Sequence, residues 1–169
     1  MLKKGDAVVH PSHGAGVVQD TQIRQVNGGE QQYHCIELVS GRGTLFLPAD
    51  QVKDAGLSPV PGDADLIISV LLDDPQELSA NYQVRKPRLA KKVHSGEVTL
   101  VAEALRDLTW RERESTLSDG DSQLKAEAQD FLAGVLALQL DMDVDAAARH
   151  LNETVSRAIQ SRLVEEEVV

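Results

Sequence analysis

The sequence has a single cysteine and no long apolar run, and each shortage excludes a class of protein. Cys35 stands alone among 169 residues, so neither an intrachain disulfide nor a multi-cysteine zinc site is possible. No stretch approaches the roughly 18 uncharged apolar residues that a membrane-spanning helix needs. The start, Met1–Asp6, carries charges without the apolar segment of a secretory signal. We therefore expect a cytoplasmic protein with no membrane partner.

Groups of residues with the spacing of a catalytic or metal site are also missing. His10 and His13 lie three residues apart, but nothing nearby supplies a third and fourth metal ligand, and we expect both to line a turn between strands. The glycine-rich segment His13–Gly16 lacks the Lys-Ser/Thr of a phosphate-binding loop. Paired acids such as Asp73 and Asp74 lie where helix capping explains them. The sequence therefore predicts no enzyme, no metal, no cofactor and no small-molecule substrate.

The chain is acidic but contains one basic segment. A net charge of −10 opposes general adhesion to nucleic acid, which requires cations that neutralise phosphates. The segment 81–95 is the exception, because it has no acidic residue and five cations. These cations are Arg85, Lys86, Arg88, Lys91 and Lys92. A local site for a polyanion is therefore compatible with the sequence, and a solvated basic loop is the alternative.

The first part of the chain has the pattern of short strands. Apolar and polar residues alternate in segments bounded by Gly, Pro or Asn, and Val26–Glu30 is typical of a hairpin turn that lets two long strands continue outward as a ribbon. The strands are predicted over 6–10, 16–23, 32–39 and 43–47. So many short strands in so few residues favour a small, strongly bent β-barrel of Tudor or SH3 type over residues 1–58.

After the Pro- and Gly-rich segment Gly56–Gly62 the apolar spacing becomes helical. We expect a compact all-helical domain over 63–169, so that the fold class is α+β. The first helix is predicted through 66–71, capped by Asp63–Asp65 and ended by Asp73-Asp74-Pro75. The others are predicted from close to Pro87, from Ser95, over about 119–140 and from about Asp143 until an acidic tail that frays. Because proline disfavours a helix interior, Leu78–Pro87 is predicted to be a loop.

Several segments resemble the CarD/CdnL family of bacterial transcription regulators, whose N-terminal module is shared with transcription-repair coupling factors. The resemblance begins with the run Lys4–Val18, which combines a Gly-Asp step, a Val-Val-x-Pro strand and a His-Gly corner. It continues, in order and with matching spacing, up to about Leu151. The later segments are 45–49, Val52, Gly56-Leu57, Asn81-Tyr82, 95–98, 101–108 and Leu117-Ser118-x-Gly120.

This resemblance implies binding to the β subunit of RNA polymerase through the N-terminal barrel. Arg24 stands at the position of a polymerase-contacting arginine, and an ordinary solvated strand charge is the alternative. Phe46 replaces a basic residue that many relatives have, so it is predicted either to make an apolar contact with polymerase or to belong to the core. Strand addition would fix the position and side chains would supply specificity.

The resemblance also implies that the helical domain lies at the upstream edge of the promoter bubble. Relatives commonly have a tryptophan after the Asn, which inserts as a wedge against a base step. This chain has Tyr82 at that position, which would make a smaller wedge. The alternative is that Tyr82 packs against the helical bundle. Arg85, Lys86, Arg88, Lys91 and Lys92 would contact phosphates. The predicted function is regulation of open-complex stability, and the alternative is a protein-interaction adaptor without DNA contact.

Overall fold

The computed structural model describes all 169 residues, and its fold class is the predicted α+β. A five-stranded antiparallel sheet comes first and a five-helix domain follows. The strands are β1 (Ala7–His10), β2 (Gly14–Val26), β3 (Gly29–Leu38), β4 (Thr44–Pro48) and β5 (Ser58–Pro59), with a 3-10 turn at Ala49–Gln51. They pair in the order β4-β3-β2-β1-β5, so β4 and β5 are the edges of the sheet.

The sheet has a small core of its own and a ribbon that extends away from it. Val8, Val18, Ile36 and Leu47 are buried together, one from each of the first four strands. Beyond Asp20, most residues of β2 are exposed, although pairing with β3 continues to the turn at Asn27 and Gly28. Both turn residues have positive φ, as the Asn-Gly signal requires. The predicted hairpin and ribbon are therefore confirmed.

The helices agree with the prediction except around Pro87. They are α1 (Asp65–Leu72), α2 (Tyr82–Val93), α3 (Val98–Glu114), α4 (Asp119–Gln139) and α5 (Val144–Val168). The expected loop up to Pro87 is wrong, because α2 begins at Tyr82 with the side chain of Asn81 accepting a hydrogen bond from the amide of Gln83. Proline at the sixth position removes only the hydrogen bond to the Gln83 carbonyl, so the helix tolerates it.

Two helix termini also differ from expectation. Ser95 does not cap α3, because the N-cap is Glu97 and the Ser95 hydroxyl instead accepts a hydrogen bond from the Glu97 amide. The acidic tail does not fray, since α5 continues to Val168. Its C-terminal half is fixed to α1 by Arg162, which contacts Asp74 and donates to the Leu72 carbonyl at 2.7 Å.

The sheet and the helices share one apolar core. Val9 and Ala15 of the sheet belong to the same buried cluster as the apolar faces of the helices. The ring of Pro11 lies so close to Gly96 that a Cβ added to this glycine would be 2.9 Å from the proline Cγ. The two parts are thus packed as one body, while the division into 1–58 and 63–169 stays a prediction.

Candidate functional site

Arg24, Tyr33 and Phe46 form an aromatic and cationic cluster on the ribbon end of the sheet, which we call the ribbon cluster. The Arg24 Cζ lies 4.1 Å from the centroid of the Phe46 ring and 5.7 Å from that of Tyr33. Phe46 is 41% exposed, so of the two predicted alternatives the core position is wrong. A guanidinium held over an aromatic face keeps its N–H donors in its own plane. One terminal nitrogen of Arg24 donates to the Gln22 Oε1 at 3.3 Å, and the other N–H groups, which have no acceptor in the protein, are available to a partner.

The ribbon cluster borders an open sheet edge. β4 pairs with β3 on one side and with no strand on the other, so its outer backbone groups have no partner in the sheet. Phe46 lies on this strand, and Ile23, next to Arg24, is 63% exposed. An open strand edge beside exposed apolar and cationic side chains is a surface that can accept a strand of another protein.

The basic segment predicted to bind DNA forms most of α2, and its cations divide between two faces. Arg85, Leu89 and Val93 are buried at a spacing of four residues. Lys86, Arg88 and Lys91 are exposed. The helix therefore presents three free cations to solvent instead of five.

Arg85 corrects the prediction of a phosphate contact. Its side chain is 5% exposed, and its Nε and one terminal nitrogen donate to the Asp121 carboxylate at 3.1 and 2.8 Å. The other terminal nitrogen donates to the carbonyls of Ser79 and Ala80 at 2.7 and 3.1 Å. A buried guanidinium whose three nitrogens are all engaged does not reach a phosphate, because leaving these partners unpaired is costly.

Lys92 is also partly neutralised within the protein. Its Nζ lies 2.9 Å from a carboxylate oxygen of Glu103 on α3, and its side chain is 36% exposed. Although segment 81–95 contains no acid, Lys92 is therefore paired, because its acidic partner comes from the next helix. Lys92 remains a proposed DNA contact with less free charge than the three exposed cations.

Tyr82, the predicted wedge residue, is partly exposed at the first position of α2. Its hydroxyl end contacts Gly120 in the first turn of α4. The Lys86 Nζ lies 5.5 Å and the Arg85 Cζ 5.6 Å from the centroid of its ring. The structure thus packs part of Tyr82 against the helical bundle, and leaves part of it accessible beside an exposed lysine.

The two neighbouring histidines line the turn between β1 and β2, as expected. The His10 Nδ1 accepts hydrogen bonds from the amides of Ser12 and His13 at 3.1 and 3.3 Å, and the two imidazole rings are 4.6 Å apart. Burial lowers the pKa of His10 below its ordinary value, and the nearby charge of His13 lowers it further. The neutral ring is thus the form that suits the turn.

This environment predicts a loss of stability in acid. Because the folded pKa of His10 is below 6.5, its unperturbed value, the unfolded chain binds the proton more readily, and stability falls as pH drops from 6.5 through the folded pKa. We expect His10→Gln to reduce the difference in melting temperature between about pH 7.5 and pH 5.5. The exposed His150, changed to Gln, should leave that difference as it is in the wild type. Equal pH dependence of the wild type and His10→Gln would contradict this role.

A cleft of about 710 Å³ lies between the sheet and the helices. His13, Arg42, His94 and Glu127 are among the polar residues that line it. His94 Nε2 lies 2.6 Å from a Glu127 oxygen, and Arg42 lies 3.6 Å from Asp130. The His94–Glu127 pair lies within the helical half, whereas Arg42–Asp130 joins the sheet half to α4.

An antiparallel sheet with an open edge, packed on a helical domain with a basic helix, defines a two-part binding protein. Residues 2–61 match the family described as CarD-like/TRCF RID domain, and residues 66–152 match CarD, C-terminal domain. The chain therefore belongs to the CarD family of transcription regulators. The RID domain family binds the β subunit of RNA polymerase, and CarD-family transcription factors are non-enzymatic.

The chain is also similar to a named bacterial protein. It is 25% identical over 138 residues to the Bacillus subtilis (strain 168) protein named "Putative transcription factor YdeB", a match that covers 80% of this chain and 90% of that protein. No helix of the present protein has both the length and the hydropathy needed to cross a membrane.

Proposed function

We propose that this protein acts on the promoter open complex by binding polymerase through its sheet and the upstream edge of the bubble through α2. The observation that carries this proposal is the position of Tyr82 beside Lys86 at the start of α2, with Arg88 and Lys91 exposed further along the same helix. Cations would hold the phosphates and fix register, while the aromatic ring contacts the bases.

On the polymerase side, the proposed contact is the open edge of β4 together with the ribbon cluster. Backbone hydrogen bonds along an added strand fix position whatever the partner's sequence, so Arg24 and Phe46 would supply specificity. Phe46 lies on the edge strand itself and the Arg24 guanidinium lies over its ring, so one partner surface would meet both side chains. This arrangement supports an apolar contact at the position where relatives have a basic residue.

The mechanism would be a difference in affinity between two states of the promoter. By binding the open complex better than the closed one, the protein shifts that equilibrium by its differential affinity and no more. With a net charge of −10 and only three exposed cations on α2, the protein would bind free DNA weakly. Attachment to polymerase compensates, because it raises the effective concentration beside the duplex.

The test is the lifetime of the open complex with purified polymerase. Changing Lys86, Arg88 and Lys91 together to Gln should reduce the protein's effect on lifetime, and should reduce the salt dependence of that effect by about 0.9 for each phosphate that is no longer neutralised. Retention on the polymerase β lobe should persist. Lys53, Arg149 and Arg157 changed to Gln make a control of equal charge, because these exposed cations lie outside α2. Arg24→Glu should abolish retention and with it any effect on lifetime.

Two results would contradict the proposal. An unchanged lifetime in the α2 variant, with retention on the β lobe intact, would favour the adaptor alternative, in which the helical half contacts protein. Submicromolar affinity of the free protein for promoter-length duplex at physiological salt would contradict the dependence on polymerase.

A further inference from the structure

Gly120 occupies a helical position that a larger residue would be expected to fill. It is the second residue of α4, after the N-cap Ser118, and its φ is in the ordinary helical range. No left-handed backbone therefore requires glycine at this position. Glycine in a helix is less favourable than alanine by up to about 1 kcal/mol. Neither backbone geometry nor helix stability explains the residue.

The space that Gly120 leaves is occupied by Tyr82. A Cβ added at position 120 would overlap the tyrosine hydroxyl, and would be 3.3 and 3.5 Å from the phenol Cζ and Cε2. The phenol thus rests on the backbone of the first turn of α4, where any side chain at position 120 would push it away. Tyr82 is thereby held at both ends, by its own backbone in α2 and by its hydroxyl end on α4.

The buried Arg85–Asp121 pair holds the two helices at this contact. Asp121 is the residue after Gly120, and Arg85 lies one turn after Tyr82. The guanidinium joins the carboxylate on α4 to the carbonyls of Ser79 and Ala80, which precede the N-cap of α2. The distance between the first turns of α2 and α4 is therefore fixed by a charged bridge directly behind the tyrosine.

We propose that Gly120 is a positioning residue, whose missing side chain sets the orientation in which the Tyr82 ring meets the DNA at the edge of the promoter bubble. A ring held in one orientation loses little conformational freedom when it binds. The Tyr82 ring, although smaller than a tryptophan, therefore makes a more effective contact when it is held in place than when it is free to move. This inference rests on the proposed function, because it concerns how Tyr82 performs the DNA contact.

The experiment combines Gly120→Ala with changes of Tyr82 and measures open-complex lifetime. Gly120→Ala should lose as much of the effect on lifetime as Tyr82→Ala does, with β-lobe retention unchanged. The double variant should lose no more than either single one, because both remove the same contact. Tyr82→Phe removes the atom that overlaps the new Cβ, so Gly120→Ala should do less harm in the Tyr82→Phe background.

Thermal unfolding separates positioning from a fold defect. Once Tyr82 is truncated to Ala, Gly120→Ala should raise the melting temperature, since the better helix former no longer meets the phenol. Gly62→Ala is the matched control, because an added Cβ there meets nothing within 4 Å. A lower melting temperature in the double variant than in Tyr82→Ala would overturn the packing argument.

The remaining outcomes distinguish the inference from the proposed function. A wild-type effect on lifetime in Gly120→Ala, or losses from positions 82 and 120 that add, would overturn the positioning role. If Tyr82→Ala has no effect while the α2 cation variant does, the phosphate contact of the proposed function stands, whereas the base contact of Tyr82 and this inference fall. If neither variant changes the lifetime, the proposed function itself is wrong.

Discussion

Replacing Asp121 with alanine is expected to lower the free energy of unfolding by about 3–5 kcal/mol, the usual loss when one partner of a buried ion pair is removed. Asp121 has no exposed surface and Arg85 is 5% exposed, so the remaining guanidinium would be left charged and buried. It could not leave easily for solvent, because it also binds the carbonyls of Ser79 and Ala80. The large loss comes from this unpaired charge.

Denaturant unfolding monitored by circular dichroism measures this loss, and two variants control for other effects. Asp119→Ala removes an exposed acid from the same first turn of α4, and should lose only the about 0.3–1 kcal/mol of its interaction with the helix dipole. Adding Arg85→Leu to Asp121→Ala removes the second charge and should recover part of the stability. Asp121→Ala and Asp119→Ala variants of equal stability would show that the buried pair contributes little.

The start of α4 illustrates what the sequence could predict. Ser118 and Asp121 have the spacing of a capping box, and the Ser118 hydroxyl does accept a hydrogen bond from the Asp121 amide at 3.1 Å. The Asp121 carboxylate, however, points to Arg85, 36 residues earlier in the chain. The helix start depends on local spacing and was predictable, whereas the ion pair depends on how two helices pack.

The burial of Arg85 nevertheless has a signal in the sequence. Arg85, Leu89 and Val93 follow one another at intervals of four, the spacing of a single helix face, and the last two are apolar. A loop before Pro87 hides this pattern, because a residue in a loop has no helix face. Once the helix begins after Asn81, the same spacing places Arg85 on the buried face and Lys86, Arg88 and Lys91 on the exposed face.

The ribbon cluster is only partly predictable, for a related reason. The Asn27-Gly28 turn fixes the register of β2 and β3, which pairs Arg24 with Gln31 and Gln22 with Tyr33 and so places Tyr33 on the same face as Arg24. The turn alone is therefore enough to bring Tyr33 beside Arg24. Phe46 lies on a separate strand, whose exposure depends on how much of the sheet the ribbon leaves uncovered, and alternation alone does not determine it.

The tight contact of β2 with β3 at Gly16 gives the second large effect. A Cβ at this position would be 2.6 Å from the Ile36 Cγ2 and 2.8 Å from the Glu37 carbonyl oxygen. Gly16→Ala should therefore lower the free energy of unfolding by about 3 kcal/mol, the upper end of the usual range for overpacking. Gly29→Ala is the control on the neighbouring strand, because its added Cβ has no neighbour closer than 3.8 Å.

One methyl group at position 16 should have this large effect on stability because it would collide with the backbone of β3. The Ile36 side chain could rotate, but the Glu37 carbonyl belongs to β3, which pairs with β2 on one side and with β4 on the other. Relief thus requires strands to separate in the part of the sheet that supports the ribbon cluster. Gly16→Ala should then lower both the retention on the β lobe and the melting temperature, whereas Arg24→Glu should lower the retention alone. A Gly16→Ala protein as stable as Gly29→Ala would mean that the strands yield at little cost.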